Sequence, residues 1–348
     1  MAIKKISILE FLELRKSCVV LDVRSPGEFA HAHILGAISM PLFTDEERKV
    51  VGTSYKQESR ERAIKIGLDY FGVKMRKMVE EVEHIIQKNS CSKIIVHCWR
   101  GGMRSAGVAW LLDLYGFDVH VLTGGYKAYR KWIHQQFSVG YKFLILSGYT
   151  GSGKTLVLKS LKDKQEAAVD LEATAIHRGS SFGGMKEPQP TQEMFENKLG
   201  EALANLKVQS EEYIWIEDES QRIGNLNIPP PLWQTMRRGS VCFLDVPFEE
   251  RLKHIVEEYG VVDKQDLIEA TYRIQKRLGG LETKKCIEHL ENERVTDAFE
   301  VLLKYYDKQY LKAFNKRGLH EHEIETIICK HVSGEENAEK LIVWKKMK

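Results

Sequence analysis

Short apolar runs punctuate a chain that is otherwise rich in charge. They are Cys18-Val19-Val20-Leu21-Asp22-Val23, Ile94-Ile95-Val96, Asp118-Val119-His120-Val121-Leu122, Tyr141-Lys142-Phe143-Leu144-Ile145-Leu146-Ser147, Tyr213-Ile214-Trp215-Ile216 and Val241-Cys242-Phe243-Leu244-Asp245-Val246. Each is short and mostly continuous in its apolar character, the pattern of a strand covered on both faces. Helical stretches separate them: residues 7 to 15, Thr44 to Arg62 (partly exposed), Gly67 to Lys88, Ala106 to Leu112, Lys127 to Trp132 and Leu156 to Leu161. Ser25 and Pro26 carry helix-start chemistry, and Gly36-Ala37 makes a turn into Ile38-Ser39-Met40-Pro41. After Pro247 the pattern reads as helix throughout: Glu249 to Tyr259, Lys264 to Leu278, Lys284 to Leu290 and Val295 to Phe314, with Gly279-Gly280 as a break. Strands alternating with helices predict an α/β fold with parallel sheets, and the amphipathic tail predicts a helical C-terminal part.

Composition narrows the picture only slightly. A chain of 348 residues with 43% hydrophobic content supports two or three domains with real cores. Charge is nearly balanced, 52 Lys+Arg against 49 Asp+Glu, so a nucleic-acid partner must be argued from local patches. Basic residues cluster at Arg237-Arg238, Arg273, Lys276-Arg277, Lys284-Lys285 and Lys345-Lys346; they are either solvated helix faces or a track for a phosphate backbone. The six cysteines, at positions 18, 91, 98, 242, 286 and 329, are scattered without a CxxC pair. A disulfide framework and a structural zinc site are therefore not expected. The charged N-terminus is unlike a signal peptide, and no run has membrane-spanning length; a cytoplasmic protein without membrane contact is expected.

Candidate chemistry sits where two of the strands end. The first site is Cys98-Trp99-Arg100-Gly101-Gly102-Met103-Arg104-Ser105. A cysteine between a strand end and a helix N-terminus faces loop amides and a positive helix end, and Arg100 and Arg104 add charge. A cysteine that merely packs would need neither the glycines nor the arginines. The second site is Gly148-Tyr149-Thr150-Gly151-Ser152-Gly153-Lys154-Thr155, a complete Walker A pattern. Amides of Gly148, Gly151, Ser152 and Gly153 can hold phosphate oxygens, Lys154 supplies a charge, and the Thr155 hydroxyl can ligate Mg²⁺. Asp170 and Glu172, followed by His177 and Arg178, form a candidate functional loop nearby in sequence. Glu217, Asp218 and Glu219 stand at a strand end, either in a Walker B role or as capping or solvated carboxylates.

Leu21-Asp22-Val23-Arg24, Glu28-Phe29, Gly36-Ala37, the Cys98 loop and Gly124-Gly125-Tyr126 resemble a rhodanese-type sulfurtransferase domain over residues 1 to about 137. That resemblance implies a persulfide on the loop cysteine. One spacing departs from it: Arg104 stands six positions after Cys98, where many sulfurtransferases have five. This is also the C-x5-R spacing of cysteine phosphatases, so a phosphatase-like activity stays open, as does a chalcogen donor carrying a phosphate.

The pairing of the Cys98 loop, the Gly148 to Thr155 loop and the Asp170 to Ser180 stretch is similar to the tRNA 2-selenouridine synthase family. Val51-Gly52-Thr53-Ser54-Tyr55-Lys56-Gln57 and Leu278-Gly279-Gly280 strengthen the match, which covers essentially the whole chain. The resemblance implies a rhodanese-like domain over 1–137, a P-loop domain over 138–247 and a helical region packed on it over 248–348. It implies tRNA as partner and selenophosphate and geranyl diphosphate as substrates, with no tightly bound cofactor and a selenophosphate-supplying enzyme as a further partner. The wobble 2-thiouridine would first be S-geranylated; selenium held on Cys98 as a selenylsulfide would then replace the S-geranyl group. Assigning the diphosphate to the Walker A loop is an inference from its chemistry. Two other classes remain open: a P-loop NTPase or kinase with a regulatory rhodanese domain, and a binding module with an inert cysteine.

Overall fold

The computed structural model describes residues 3–89, 91–177, 188–209, 213–315 and 324–347. The chain divides into two compact units, residues 1–136 with 196–198, and residues 137–195 with 199–348.

The first unit runs β1 (Lys4–Ile6), α1 (Ile8–Leu14), β2 (Val19–Asp22), α2 (Pro26–His31), β3 (Ile38–Ser39), α3 (Asp45–Gln57), α4 (Arg60–Gly72), α5 (Met75–Asn89), β4 (Lys93–His97), α6 (Met103–Tyr115), β5 (Asp118–Leu122) and α7 (Gly125–Gln136). Its five strands form one sheet in the order β1-β5-β4-β2-β3, every neighbouring pair parallel. All of β2 and the last four residues of β4 are buried, as continuous apolar runs require. Val19, Leu21, Ile94, Val96, Val108, Leu112, Val119 and Val121 share the main core. Helix breaks fall elsewhere than the pattern suggests. The charged segment ends at Gln57, and Ser59 caps a new helix through the Arg62 amide. The predicted Gly67 to Lys88 helix is two, parted at Val73-Lys74, where the Lys74 amide bonds back to Phe71 in a turn.

The second unit contains β6 (Lys142–Gly148), α8 (Lys154–Asp163), β7 (Ala168–Val169), α9 (Leu171–Ala175), α10 (Gln192–Gln209), β8 (Tyr213–Glu217), β9 (Arg222–Ile223), β10 (Leu226–Asn227), α11 (Pro230–Met236), β11 (Ser240–Asp245), α12 (Phe248–Tyr259), α13 (Lys264–Leu278), α14 (Gly280–Glu291), α15 (Val295–Asn315), β12 (Ile324–Ile328) and α16 (Gly334–Lys345). The sheet order is β12-β11-β6-β8-β7, again all parallel, and β9 with β10 makes a small antiparallel hairpin.

The region after Pro247 is mainly helical but not entirely so. β12 lies beside β11 with Val241 opposite Ile324 and Asp245 opposite Ile328, so β11 does not end the sheet. Behind that sheet, Trp215 is fully buried against Trp344 of α16, ring centroids 5.9 Å apart. Truncating such a buried indole typically costs about 3–5 kcal/mol. Helices α13, α14 and α15 form a separate cluster around Leu267, Ile274, Cys286, Leu290, Phe299 and Leu303.

Candidate active sites

The Cys98 loop leaves the end of β4 and enters α6. Its shape depends on two glycines held at positive φ. Gly101 has φ 65°, and a Cβ there would lie 2.6 Å from the Leu122 carbonyl oxygen. Gly125 has φ 56°, and a Cβ there would lie 2.2 Å from the Cys98 carbonyl oxygen. That carbonyl accepts from the Tyr126 amide at 2.8 Å, which anchors the loop to the start of α7. One cation and one indole meet the Tyr126 ring: Arg24 lies over it at 3.9 Å, and Trp99 packs tilted against it at 5.5 Å. Arg24 is itself buried and bonded to Asp22 at the end of β2. Trp99 and Met103 remain partly open to solvent on the outside of the loop.

The Cys98 thiol is buried, 3% exposed. Its Sγ lies 3.3 Å from the Ser105 hydroxyl and accepts from the Gly102 amide at 3.4 Å. Burial works against the thiolate. The Ser105 hydroxyl and amide, the Arg100 amide and the Arg104 charge outweigh it, and the pKa falls below the ordinary thiol value. Cys286 and Cys329 show the opposite balance: burial raises each to about 11. Arg104 is not free to close over an anion. It donates to Glu28 at 2.7 Å, across 76 residues of sequence. Burial opposes ionisation of Glu28, yet Arg104, the Ser25 amide and Arg48 bring its pKa down to about 2. Arg104 therefore acts on Cys98 as a fixed positive field, unlike an anion-gripping arginine.

The Walker loop leaves β6 and enters α8. Gly148, Gly151 and Gly153 all have positive φ, and a Cβ on Gly151 would strike Ile255 at 2.7 Å. The Lys154 ammonium donates to the Gly148 carbonyl at 3.1 Å, bracing the loop across its mouth. Ser152 is buried. Around Lys154 and Thr155 the sheet gathers three carboxylates. Glu172, Glu217 and Glu219 bring ligand oxygens within 4.8 Å of one another. Thr155 Oγ1 lies 3.4 Å from Glu172, and the Glu172 amide donates to Glu217 at 2.7 Å. The other Glu217 oxygen is buried with no hydrogen-bond partner. Burial raises the pKa of all three. The charges of their carboxylate neighbours add to it at Glu217 and Glu219, the latter rising to about 8, whereas at Glu172 Lys154 opposes the rise and Asp170 adds to it. Such an oxygen-rich, charge-repelling set fits a hard divalent cation, with Thr155 beside it.

The remaining predicted residues have distinct places. Asp170 caps α9 by accepting from the Ala173 amide at 2.7 Å. His177 follows that helix and is partly buried, which lowers its pKa. Arg178 lies outside the described residues. Asp218 turns away from its neighbours and accepts from Ser147 at 2.8 Å and from Tyr310 at 3.1 Å. Sequence reasoning missed Tyr310, which stands 92 residues away from Asp218. It also missed Arg251, which pairs with Asp307, donates to the Thr150 carbonyl at 3.1 Å and lies 4.8 Å above the Tyr149 ring. The sequence places Arg251 only on an amphipathic helix, which says nothing of a loop 101 residues earlier.

Comparison with known proteins bears on both units. A family model described as the tRNA 2-selenouridine synthase AAA domain matches residues 141–325, and a rhodanese-like domain model matches residues 7–131. A tRNA 2-selenouridine synthase from Hydrogenovibrio crunogenus is 36% identical, the alignment covering 85% of this chain and 89% of the relative. One from Nitrosomonas europaea is 32% identical, covering 86% and 89%. One from a Sulfurovum species is 36% identical, covering 84% and 87%.

Proposed function

Because this chain belongs to the tRNA 2-selenouridine synthase family, we propose that it converts 2-thiouridine at the tRNA wobble position to 2-selenouridine in two steps. In the first, the thiocarbonyl sulfur attacks C1 of geranyl diphosphate; a C–S bond forms, the C–O bond breaks, and diphosphate leaves. In the second, selenium from selenophosphate takes the place of the geranylthio group at C2. Alkylation turns a poor leaving group into a better one. The observation that carries this reading is one chain holding both a cysteine, Cys98, whose thiol pKa is lowered by its loop and, separately, a glycine-rich Walker loop at Gly148–Thr155 opening a helix.

Lys154 and the loop amides would bind the diphosphate and offset the charge that develops as it departs. Glu172, Glu219 and Thr155 are the groups that would hold Mg²⁺, which would supply further charge compensation there. Cys98 would attack selenium and carry it as a selenylsulfide. Electrons balance in that step when phosphorus leaves as phosphite, and a second thiol then cleaves the S–Se bond. Direct displacement by selenophosphate needs no selenylsulfide and leaves phosphate. The phosphorus product, read by ³¹P resonance, separates the two routes.

The commitment of Arg104 to Glu28 disfavours the phosphatase reading suggested by the C-x5-R spacing. A nucleotide in the Walker loop is a second reading, supported by the carboxylates beside Lys154. Two variants test the division of labour. Cys98→Ser should accumulate S-geranyl-2-thiouridine, with selenation down by at least about 10³-fold. Lys154→Ala should lose geranylation by about 10²-fold or more, yet convert pre-geranylated tRNA normally. Normal 2-selenouridine from Cys98→Ser, or a Lys154→Ala defect confined to selenation, would overturn it.

A further inference from the structure

The basic clusters seen in the sequence do not share one fate. Arg237 stacks 5.2 Å over Trp233 and lies 4.0 Å from Asp218, and Lys345 is paired with Glu166 at 2.6 Å. These charges are spent inside the second unit. A different set converges on a groove of about 670 Å³ walled by α13, α14 and α15. Arg277, Lys285, Lys304, Lys308 and Lys312 line it, and all five are exposed.

Acidic residues line the same groove, but each has a basic partner close by. Glu282 holds Lys285 at 3.2 Å, Glu300 holds Lys304, and Asp297 lies 3.6 Å from His289. Arg277, Lys308 and Lys312 have no acidic partner among the described residues. Lys304, Lys308 and Lys312 recur every fourth position on α15, so they climb one helix face in steps of about 6 Å. Tyr305 adds a half-buried ring inside the groove, close enough to Arg277 to feel its charge. A helix C-terminus accounts for a cation such as Arg277 at the end of α13. It does not account for Lys308 in the body of α15.

We propose that this groove is a docking surface for the sugar-phosphate backbone of the tRNA substrate. The proposal rests on the reading that the substrate is tRNA. A ladder of lysines, two of its three rungs and the neighbouring Arg277 without an acidic partner among the described residues, beside one aromatic ring fits a repeating anionic chain with bases to stack. It would position the RNA without reading its sequence.

The test is tRNA binding by the full chain across a range of salt concentrations. The combined variant Arg277→Gln, Lys308→Gln, Lys312→Gln removes three exposed charges, and its circular dichroism should match the parent. Its affinity at low salt should fall roughly tenfold or more, and the slope of log affinity against log salt should shrink by about 2–3. The KM for tRNA should rise with kcat retained. A control with three exposed lysines of the first unit changed, Lys49→Gln, Lys56→Gln and Lys65→Gln, should bind like the parent. An equal loss in that control would reduce the effect to net charge and overturn the proposal. Unchanged affinity and slope in the groove variant, with the parent binding and modifying tRNA, would overturn the groove while leaving the function standing. Loss of poly-glutamate binding with tRNA binding intact would assign the groove to an acidic protein instead. A parent that binds no tRNA would sink the functional reading itself.

Discussion

The Cys98 loop and the Walker loop use the same backbone device and fill it with opposite charge. Each follows a buried parallel strand, turns on glycines at positive φ and ends at a helix N-terminus. In the first, amides, Ser105 and Arg104 surround an acidic thiol. In the second, three carboxylates crowd a lysine, and neighbouring carboxylates oppose ionisation of Glu217 and Glu219. A strand–glycine–helix turn is thus an anion-ready frame, and its side chains decide what it holds. The first frame is complete for an anion formed within it. The second is complete only when cation and phosphate arrive together.

That contrast can be broken most directly at the frame. Gly125→Ala would force a Cβ into the Cys98 carbonyl at a left-handed φ. It should cost about 3 kcal/mol or more in chemical denaturation of the first unit, with loss of selenation. Gly102→Ala, with open space at its Cβ and φ −98°, should cost under about 1 kcal/mol. Equal tolerance at both positions would mean the loop is not constrained as described.

The second frame predicts a gain. Glu217→Gln keeps an oxygen for the Glu172 amide and removes a carboxyl group whose ionisation burial and its neighbours oppose. In chelator, it should raise stability by about 1–2 kcal/mol while impairing geranylation. A loss of stability there would show that the carboxylates are not mutually repulsive.

A smaller loss is expected of Glu28→Gln, which frees Arg104. Both side chains are partly buried, so the expected cost at neutral pH is about 1 kcal/mol. The folded pKa of Glu28 is about 2, below its ordinary 4.5. Its stabilisation is therefore full above about pH 4.5 and is lost as pH falls toward 2. Melting curves of parent and variant should converge over that window; a constant gap would assign the effect to packing.

Both loops were legible because their signals are local: strand, glycines and charged residue lie within a dozen positions. The strands buried on both faces were legible for the same reason. β1 and β12 were not. β12, Ile324-Glu325-Thr326-Ile327-Ile328, is an edge strand with polar residues in its middle and little burial, so it lacks a core strand's continuous apolar run. The pairs Arg104–Glu28 and Asp218–Tyr310 were invisible for another reason. They join helices and strands distant in sequence, and nothing in periodicity forecasts which carboxylate meets which cation.

The late arrival of β12 bears on how the protein is made. β12 closes one edge of the second sheet, and α16 packs against α8 with Ala338, Leu341 and Trp344 in the shared core. The Walker loop is encoded before any of these, yet the helix it opens leans on them. At translation rates of about 5–20 residues per second, α12 to α15 occupy several seconds before that support can emerge. Over that interval the nascent Trp215 and the bare edge of β11 must stay out of wrong pairings. The first unit's sheet, by contrast, has all five strands synthesised before the second begins. A ribosome stalled just after β11 should therefore display a protease-resistant first unit and a protease-sensitive second one.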